Sequence, residues 1–286
     1  MKIGMAGTGR MGAAVAGRLA SLGHEVAVWN RNPEKARSTG LRVTQTPGEL
    51  ASACETVISF LTDARAVEAV YRQMLEADVK GKLFIEMSTG RPADAKKISS
   101  MAKARGASFV ECPVGGSVGP AREGKLFGFA GGEAADFERA RPLLEQICRR
   151  VEHAGPAGAG ASVKLAINLP LLVYWQSLGE ALTLLKGLDL DPERVMSIIG
   201  DTSGAPAMLK VRAPMIAAAL AGKPGPVTVN VDTIRKDLRE MVAEGQALGR
   251  ELPVAAAALA AFDRASQAGL GDADCVMLPV SFSKAK

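Results

Sequence analysis

The chain has 286 residues, 48% of them hydrophobic and 23% charged, with 35 Lys and Arg against 30 Asp and Glu and a formal net charge of +5. That length suits two domains of ordinary size. The basic residues are interleaved with acids rather than gathered in a stripe, which argues against a nucleic-acid surface. The four cysteines, Cys54, Cys112, Cys148 and Cys275, lie far apart with no C-x-x-C or Cys/His ligand spacing. Neither a disulfide framework nor a zinc site is expected, no metal is assigned, and reduced thiols point to the cytoplasm. A first strand at residue 2 is expected to leave no room for a signal peptide. The longest apolar stretch, 171–185, is interrupted by Tyr174, Trp175, Gln176 and Glu180, so no membrane partner is expected.

In chain order, the apolar run from Ile3 predicts a buried parallel strand over 2–7. Gly7, Gly9 and Gly12 then give G-x-G-x-x-G where strand turns into a helix over 10–22. A dinucleotide site needs glycines there for a tight turn, for close approach of a pyrophosphate and for helix–strand packing. The helix N-terminus offers its unpaired amides to the anion. Gly7, Thr8, Gly9, Arg10, Met11 and Gly12 are therefore the expected cofactor loop. A second strand, 25–30, ends at Asn30 and Arg31, with Lys35 a turn later, where NAD-binding domains usually carry an acid for the ribose hydroxyl. Arginine attracts a 2′-phosphate that a carboxylate would repel. NADP(H) is the preferred cofactor, with NAD(H) as the alternative, and Asn30, Arg31 and Lys35 are its expected contacts.

Strands are predicted further on at 55–60, 82–87, 107–111, 126–130 and 149–153, with helices at 64–77, 92–105 and 134–147. This alternation predicts a mostly parallel, doubly wound sheet. Leu61 and Thr62, after the third strand, are also expected at the cofactor. Gly-Pro-Ala-Gly-Ala-Gly at 155–160 reads as the clearest linker. Beyond it, 160–188, 192–200, 206–221, 231–249 and 253–268 read as helices. The first is apolar almost all round and should be buried on most sides. Pro170 within it predicts a kink near Leu169 or one tolerated local break. His24 and His153, the two histidines, read as structural. The expected architecture is an α/β Rossmann-type doubly wound sheet followed by an all-α domain joined through a long helix. A dinucleotide-binding domain covers 1–158 and a helical substrate and oligomerisation domain 159–286.

Lys164 begins the apolar helix, and Asn168 lies four residues on, hence on the same face. By composition alone Lys164 reads more readily as a snorkelling surface lysine. In a partly dry site, the same lysine would suit proton transfer near neutrality. Ser88 and Thr89 follow a strand at the carboxyl edge of the sheet, where ligands of open α/β sheets bind. Gly115 and Gly116 end another strand with amides able to grip a carboxylate. Lys236 reads as part of a solvated helical face.

Gly-Thr-Gly-Arg-Met-Gly (7–12), Trp-Asn-Arg-Asn-Pro (29–33), Glu-Met-Ser-Thr-Gly-Arg-Pro (86–92), Glu-Cys-Pro-Val-Gly-Gly-Ser (111–117), Gly-Lys-Leu (124–126), Gly-Ala-Gly-Ala-Ser-Val-Lys-Leu-Ala-Ile-Asn (158–168) and Lys-Asp-Leu (236–238) occur in one order. Over nearly its whole length, the chain resembles the β-hydroxyacid dehydrogenase family. The resemblance implies a catalytic lysine at Lys164 and a substrate-binding asparagine at Asn168. It also implies substrate and nicotinamide contacts at Ser88, Thr89 and Lys236. The reaction implied interconverts a small β-hydroxyacid and its semialdehyde, or reduces a small aldehyde or keto acid, so the partner is a small anionic carbonyl or hydroxyacid substrate. Three departures touch the substrate pocket: Gly115 stands at the family's serine, Ile167 at the first of its paired asparagines, and Pro170 follows at once. An imine reductase-like enzyme and a non-catalytic dinucleotide-binding module are the alternatives; imine reductases usually carry Asp or Tyr where Lys164 stands. The apolar long helix further predicts a homodimer or homotetramer.

Overall fold

A computed structural model describes residues 1–284, so Ala285 and Lys286 of the expected second domain lie outside the described residues. The chain divides into two compact units, Met1–Leu165 and the residues from Ala166 onward. In the first, strands and helices alternate as β1 (Lys2–Ala6), α1 (Arg10–Ser21), β2 (Glu25–Trp29), α2 (Pro33–Arg37), β3 (Arg42–Val43), α3 (Pro47–Ala53), β4 (Thr56–Ser59), α4 (Ala64–Met74), β5 (Leu83–Glu86) and α5 (Pro92–Ala104). Then follow β6 (Ser108–Glu111), β7 (Val114–Gly115), α6 (Val118–Glu123), β8 (Leu126–Gly132), α7 (Ala134–Ile147), β9 (Cys148–Gly155) and the start of α8 (Ala159–Leu184).

One sheet runs in the order β3-β2-β1-β4-β5-β6-β8-β7, with β9 beside β8. The pairs from β3 to β6 are parallel; β8 is antiparallel to β6 and β7 and parallel to β9. Both faces are covered, so the strands carry apolar residues on both sides. Ile3, Met5, Ile58 and Ile85 pack against α1 and α7 residues such as Val15, Leu19, Phe137 and Leu144. Ala6, Val57, Phe84 and Phe109 pack on the other face with Leu50, Val70 and Tyr71. The order of strands reverses between β1 and β4, and at such a switch point the carboxyl ends leave a crevice for a ligand.

Several short elements escape the sequence reading: α2, β3, α3 and α6. Side-chain caps explain two of them. Asn32 accepts from Glu34 N at the start of α2, and Thr46 accepts from Glu49 N at the start of α3; each is followed by proline at the first helical position, where no donor is lost. The Gly-Pro-Ala-Gly-Ala-Gly stretch is a packed turn rather than a loose linker: the Gly158 and Gly160 amides donate to buried Glu111. His24 Nε2 meets Gln146 Oε1, and His153 stacks on Phe137 while bonding Gly132 O, which are packing roles for both.

In the second unit come α9 (Pro192–Gly200), α10 (Ala207–Leu220), α11 (Val231–Ala247), α12 (Pro253–Ala265), a π-helical turn over Ser266–Leu270 and α13 (Met277–Lys284), the last also unanticipated. α8 runs through Pro170 as one helix. Its apolar residues are not buried on most sides within the chain: Ile167 is 41% exposed and Leu184 is 86% exposed. Asp274, in the loop before α13, accepts from the Thr228 amide and hydroxyl in the loop before α11 and stands 3.8 Å from Arg212 of α10. No helix among the described residues is long and apolar enough to cross a membrane.

Candidate active site

The glycine loop joins the carboxyl end of β1 to α1. Gly7 adopts φ +95°, and a Cβ there would lie 2.1 Å from Phe60 O. A Cβ on Gly12 would lie 1.9 Å from Gly7 O. These two glycines let strand, loop and helix meet. Gly9 differs, because nothing lies within 4 Å of its would-be Cβ. Its open side is where a pyrophosphate can approach the backbone. Gly9 caps α1 with no side-chain hydrogen bond, which leaves the amides of the Arg10–Met11–Gly12 turn for an anion. Thr8 Oγ1 is buried without a partner beside them. These features fit a dinucleotide: an open backbone approach, unspent amides and an orphaned hydroxyl.

Asn30, expected at the ribose, has a structural duty as well. Its Oδ1 accepts from Thr8 N at 3.1 Å and its Nδ2 donates to Asn32 O at 3.0 Å, so it pins the glycine loop to the end of β2. Arg31 and Lys35 are exposed. The nearby carboxylate, Glu34, is engaged by Arg37.

The ends of β4 and β5 form a second cluster around a buried carboxylate that the sequence reading missed. Ser59 donates to Glu86 Oε2. Since Ser59 spends its proton there, its 3.0 Å contact with Tyr71 is a bond donated by the tyrosine hydroxyl. Burial, and then the Glu86 charge, push the Tyr71 hydroxyl well above its ordinary value, so it stays protonated. Glu86 Oε1 takes the Ser88 amide at 2.6 Å, and Ser88 Oγ accepts from Leu61 N at 2.7 Å. Ser88 therefore does not cap α5, whose N-cap is Arg91. It ties the β5 loop, with Thr89 next in chain, to the Leu61–Thr62 loop, and Leu61 Cδ2 lies 3.1 Å from the Cβ position of Gly7. The structure thus brings Gly7, Leu61 and Ser88 together. A glutamate ending an otherwise apolar strand, Leu-Phe-Ile-Glu, is the signal that could have found Glu86.

Gly115 and Gly116 lie at the β7 turn. Gly116 has φ +127° and no room, with Leu126 Cδ2 2.8 Å from its would-be Cβ, whereas a Cβ on Gly115 would make only ordinary contact, 3.6 Å from Phe129 Cε2. On α8, Lys164 is 8% exposed and Asn168 is 7% exposed. A snorkelling surface lysine is ruled out by that burial. Lys236 on α11 is a quarter exposed, and its Nζ stands 2.7 Å from Asp237 Oδ1. All four thiols are buried. Burial pushes Cys54 up to about 11 and Cys148 up to about 12, and raises Cys112 and Cys275 as well, so none offers a thiolate nucleophile.

Residues 2–155 match the family model of the NAD binding domain of 6-phosphogluconate dehydrogenase. Residues 158–279 match the model described as NAD-binding of NADP-dependent 3-hydroxyisobutyrate dehydrogenase. A 3-hydroxyisobutyrate dehydrogenase of Pseudomonas aeruginosa is 34% identical over 93% of this chain and 92% of its own length. The chain belongs to the β-hydroxyacid dehydrogenase family. Glyoxylate/succinic semialdehyde reductase 1 of Arabidopsis thaliana is 32% identical across 99% of this chain and 100% of that one. The structure of a Mycobacterium tuberculosis 3-hydroxyisobutyrate dehydrogenase, solved with L-serine, superposes with a TM-score of 0.86 at 26% identity, covering 99% of both chains. As a member of this family, the chain is an NAD(P)-dependent oxidoreductase.

Proposed function

We propose that this β-hydroxyacid dehydrogenase reduces a small aldehyde acid or keto acid with NADPH, reversibly, with Lys164 as general acid and base. The observation that carries the reading is the pair Lys164 and Asn168. They are two buried polar side chains one turn apart on the same face of a helix that is otherwise largely apolar. Burying a lysine is costly, and a site that needs a proton at a developing alkoxide offsets that cost.

The nicotinamide, when bound, exchanges a hydride with the substrate carbon. The protein's part is placement and the proton. The amides after Gly9 and the Thr8 hydroxyl would hold the pyrophosphate. Arg31 and Lys35, with no acid at position 30, would receive the 2′-phosphate. Leu61, Thr62, Ser88 and Thr89 would flank the nicotinamide. Lys164 Nζ would give its proton to the carbonyl oxygen during reduction and recover one during oxidation. The Asn168 amide would orient that oxygen without competing for the proton. The Gly115 and Gly116 amides and Lys236 would hold the substrate carboxylate, with Lys236 also near the nicotinamide.

The relatives named above act, by their names, on 3-hydroxyisobutyrate and on glyoxylate or succinic semialdehyde. Those compounds share a carboxylate within a few bonds of the reacting carbon, and that class is the substrate proposed here. The test is NADPH oxidation against a panel of short semialdehydes, keto acids and cyclic imines, followed by Lys164→Ala with the best substrate. Turnover should fall by about 10²–10⁴-fold, the weight of a positioned general acid, with cofactor binding nearly intact. Near-normal turnover in Lys164→Ala would assign the proton to another group, and a preference for cyclic imines would overturn the substrate class.

A further inference from the structure

One buried carboxyl has no part in that chemistry. Glu111 ends β6 and is 2% exposed. Its Oε1 accepts from Gly158 N at 2.6 Å and Gly160 N at 3.2 Å, amides at the start of α8; its Oε2 has no hydrogen-bond partner. The fit is tight because glycines surround it. A Cβ on Gly131 would lie 2.1 Å from Glu111 Oε1, and one on Gly160 would lie 2.1 Å from Phe129 O. A carboxylate is expensive to bury, and a serine or asparagine cap would satisfy the same amides without that cost. Gly160 and Lys164 are four residues apart, so they share one face of α8. One helical turn links the clamp to the lysine.

We propose that Glu111 is a positioning residue for the reaction: by clamping the first turn of α8 to the end of β6, it fixes where Lys164 stands. The proposal rests on the assignment of Lys164 as the proton donor. An ionised carboxylate holds two amides more strongly than a neutral carboxyl does. Burial pushes the Glu111 carboxyl up to about 7, against the pull of the Gly158, Gly160 and Ala161 amides. The titratable groups on the elements around it are few. Glu86 of β5 is its partner in register and is bonded to Ser59 and Ser88. Cys112 is its neighbour in chain, and Asp136 of α7 accepts from Phe109 N. His153 of β9 bonds Gly132 O. Lys96 of α5 reaches within 3.0 Å of the Cβ position of Gly158, and Lys164 follows on α8.

The test compares wild type, Glu111→Gln and Lys164→Ala, using NADPH and the substrate that the panel identifies, with kcat expressed per cofactor-binding site. Glu111→Gln keeps one acceptor oxygen and the shape, so it should fold even if Glu111→Ala does not. Its kcat above pH 7 should fall about tenfold, as small misplacements of a reacting group do; wild-type kcat should rise through pH 7 as the Glu111 carboxyl ionises, and the variant's should not. KM for NADPH should change little. If Glu111→Gln matches wild type in kcat per site and in pH profile while Lys164→Ala is inactive, Glu111 is a structural cap only, and the Lys164 assignment survives. If Lys164→Ala turns over normally, both fall.

Discussion

Raising the pH from 5 to 8 should destabilise the dinucleotide unit through Glu111, and Glu111→Gln should remove that loss. The carboxyl titrates near 7 in the folded chain against an ordinary value of 4.5. Between those values the folded state holds a proton that the unfolded state releases, so stability is greatest on the acid side and declines until the pH passes 7. At 1.36 kcal/mol per pH unit, the interval from pH 5 to about 7 corresponds to about 2–3 kcal/mol. The assay is urea unfolding followed by circular dichroism at pH 5, 6, 7 and 8 for wild type and Glu111→Gln. Other carboxylates, including Glu68 and Glu123, which bonded lysine and arginine side chains hold below their ordinary values, titrate in both proteins and cancel in the difference. The stability of wild type minus variant should fall from pH 5 to 7 and level off toward pH 8. A difference constant to within about 0.5 kcal/mol across the range would refute the argument, because a carboxyl that ionises equally in both states contributes nothing to the slope.

Replacing Asn30 by Asp and Arg31 by Ala should turn preference from NADPH toward NADH by at least about tenfold in Kd, the weight of a charge-assisted hydrogen bond; Asp keeps an acceptor for Thr8 N, so the loop should survive. Wild-type binding of NADH as tight as that of NADPH at physiological salt would count against Arg31. Gly115→Ser should fold, since its Cβ meets only ordinary contacts, and should raise kcat/KM for 3-hydroxyisobutyrate relative to succinic semialdehyde about tenfold; unchanged ratios would make the departure at 115 neutral. Light scattering at micromolar concentration should show at least a dimer, since Leu184 and Val211 are 86% and 78% exposed. Leu184→Glu with Val211→Glu should weaken it, and a monomeric wild type would contradict the expectation.

Elements with strong local signals are legible at their ends. α9 spans 192–200 as the sequence predicts, because Asp191 caps it and Pro192 opens it; α7 likewise matches 134–147. Elements a few residues long are not legible, because caps and packing rather than periodicity sustain α2, α3 and α6. Pro170 shows the opposite override: a residue that disfavours helix sits within α8 without ending it. In the candidate site, the sequence places residues on elements but not in depth. Lys164 reads as a surface lysine by composition and proves buried, since burial depends on what packs over a residue rather than on its neighbours in chain. Glu86 and Glu111 share that difficulty. Each closes an apolar strand and looks like the first polar residue of a loop, while the structure buries Glu86 against the Ser59 hydroxyl and the Ser88 amide and Glu111 against the Gly158 and Gly160 amides.

The glycine motif sorts mutations by two different kinds of selection. At Gly7 and Gly12 a methyl group would strike backbone oxygen at 2.1 and 1.9 Å, so alanine there is a lesion of folding. At Gly9 a methyl group meets nothing and the backbone lies on the ordinary side of φ. A library read for soluble expression should therefore accept alanine at position 9 and reject it at 7 and 12, whereas the same library read for dinucleotide capture should reject all three. A single short motif would then report separately on what the polypeptide requires of itself and what its cofactor requires of it.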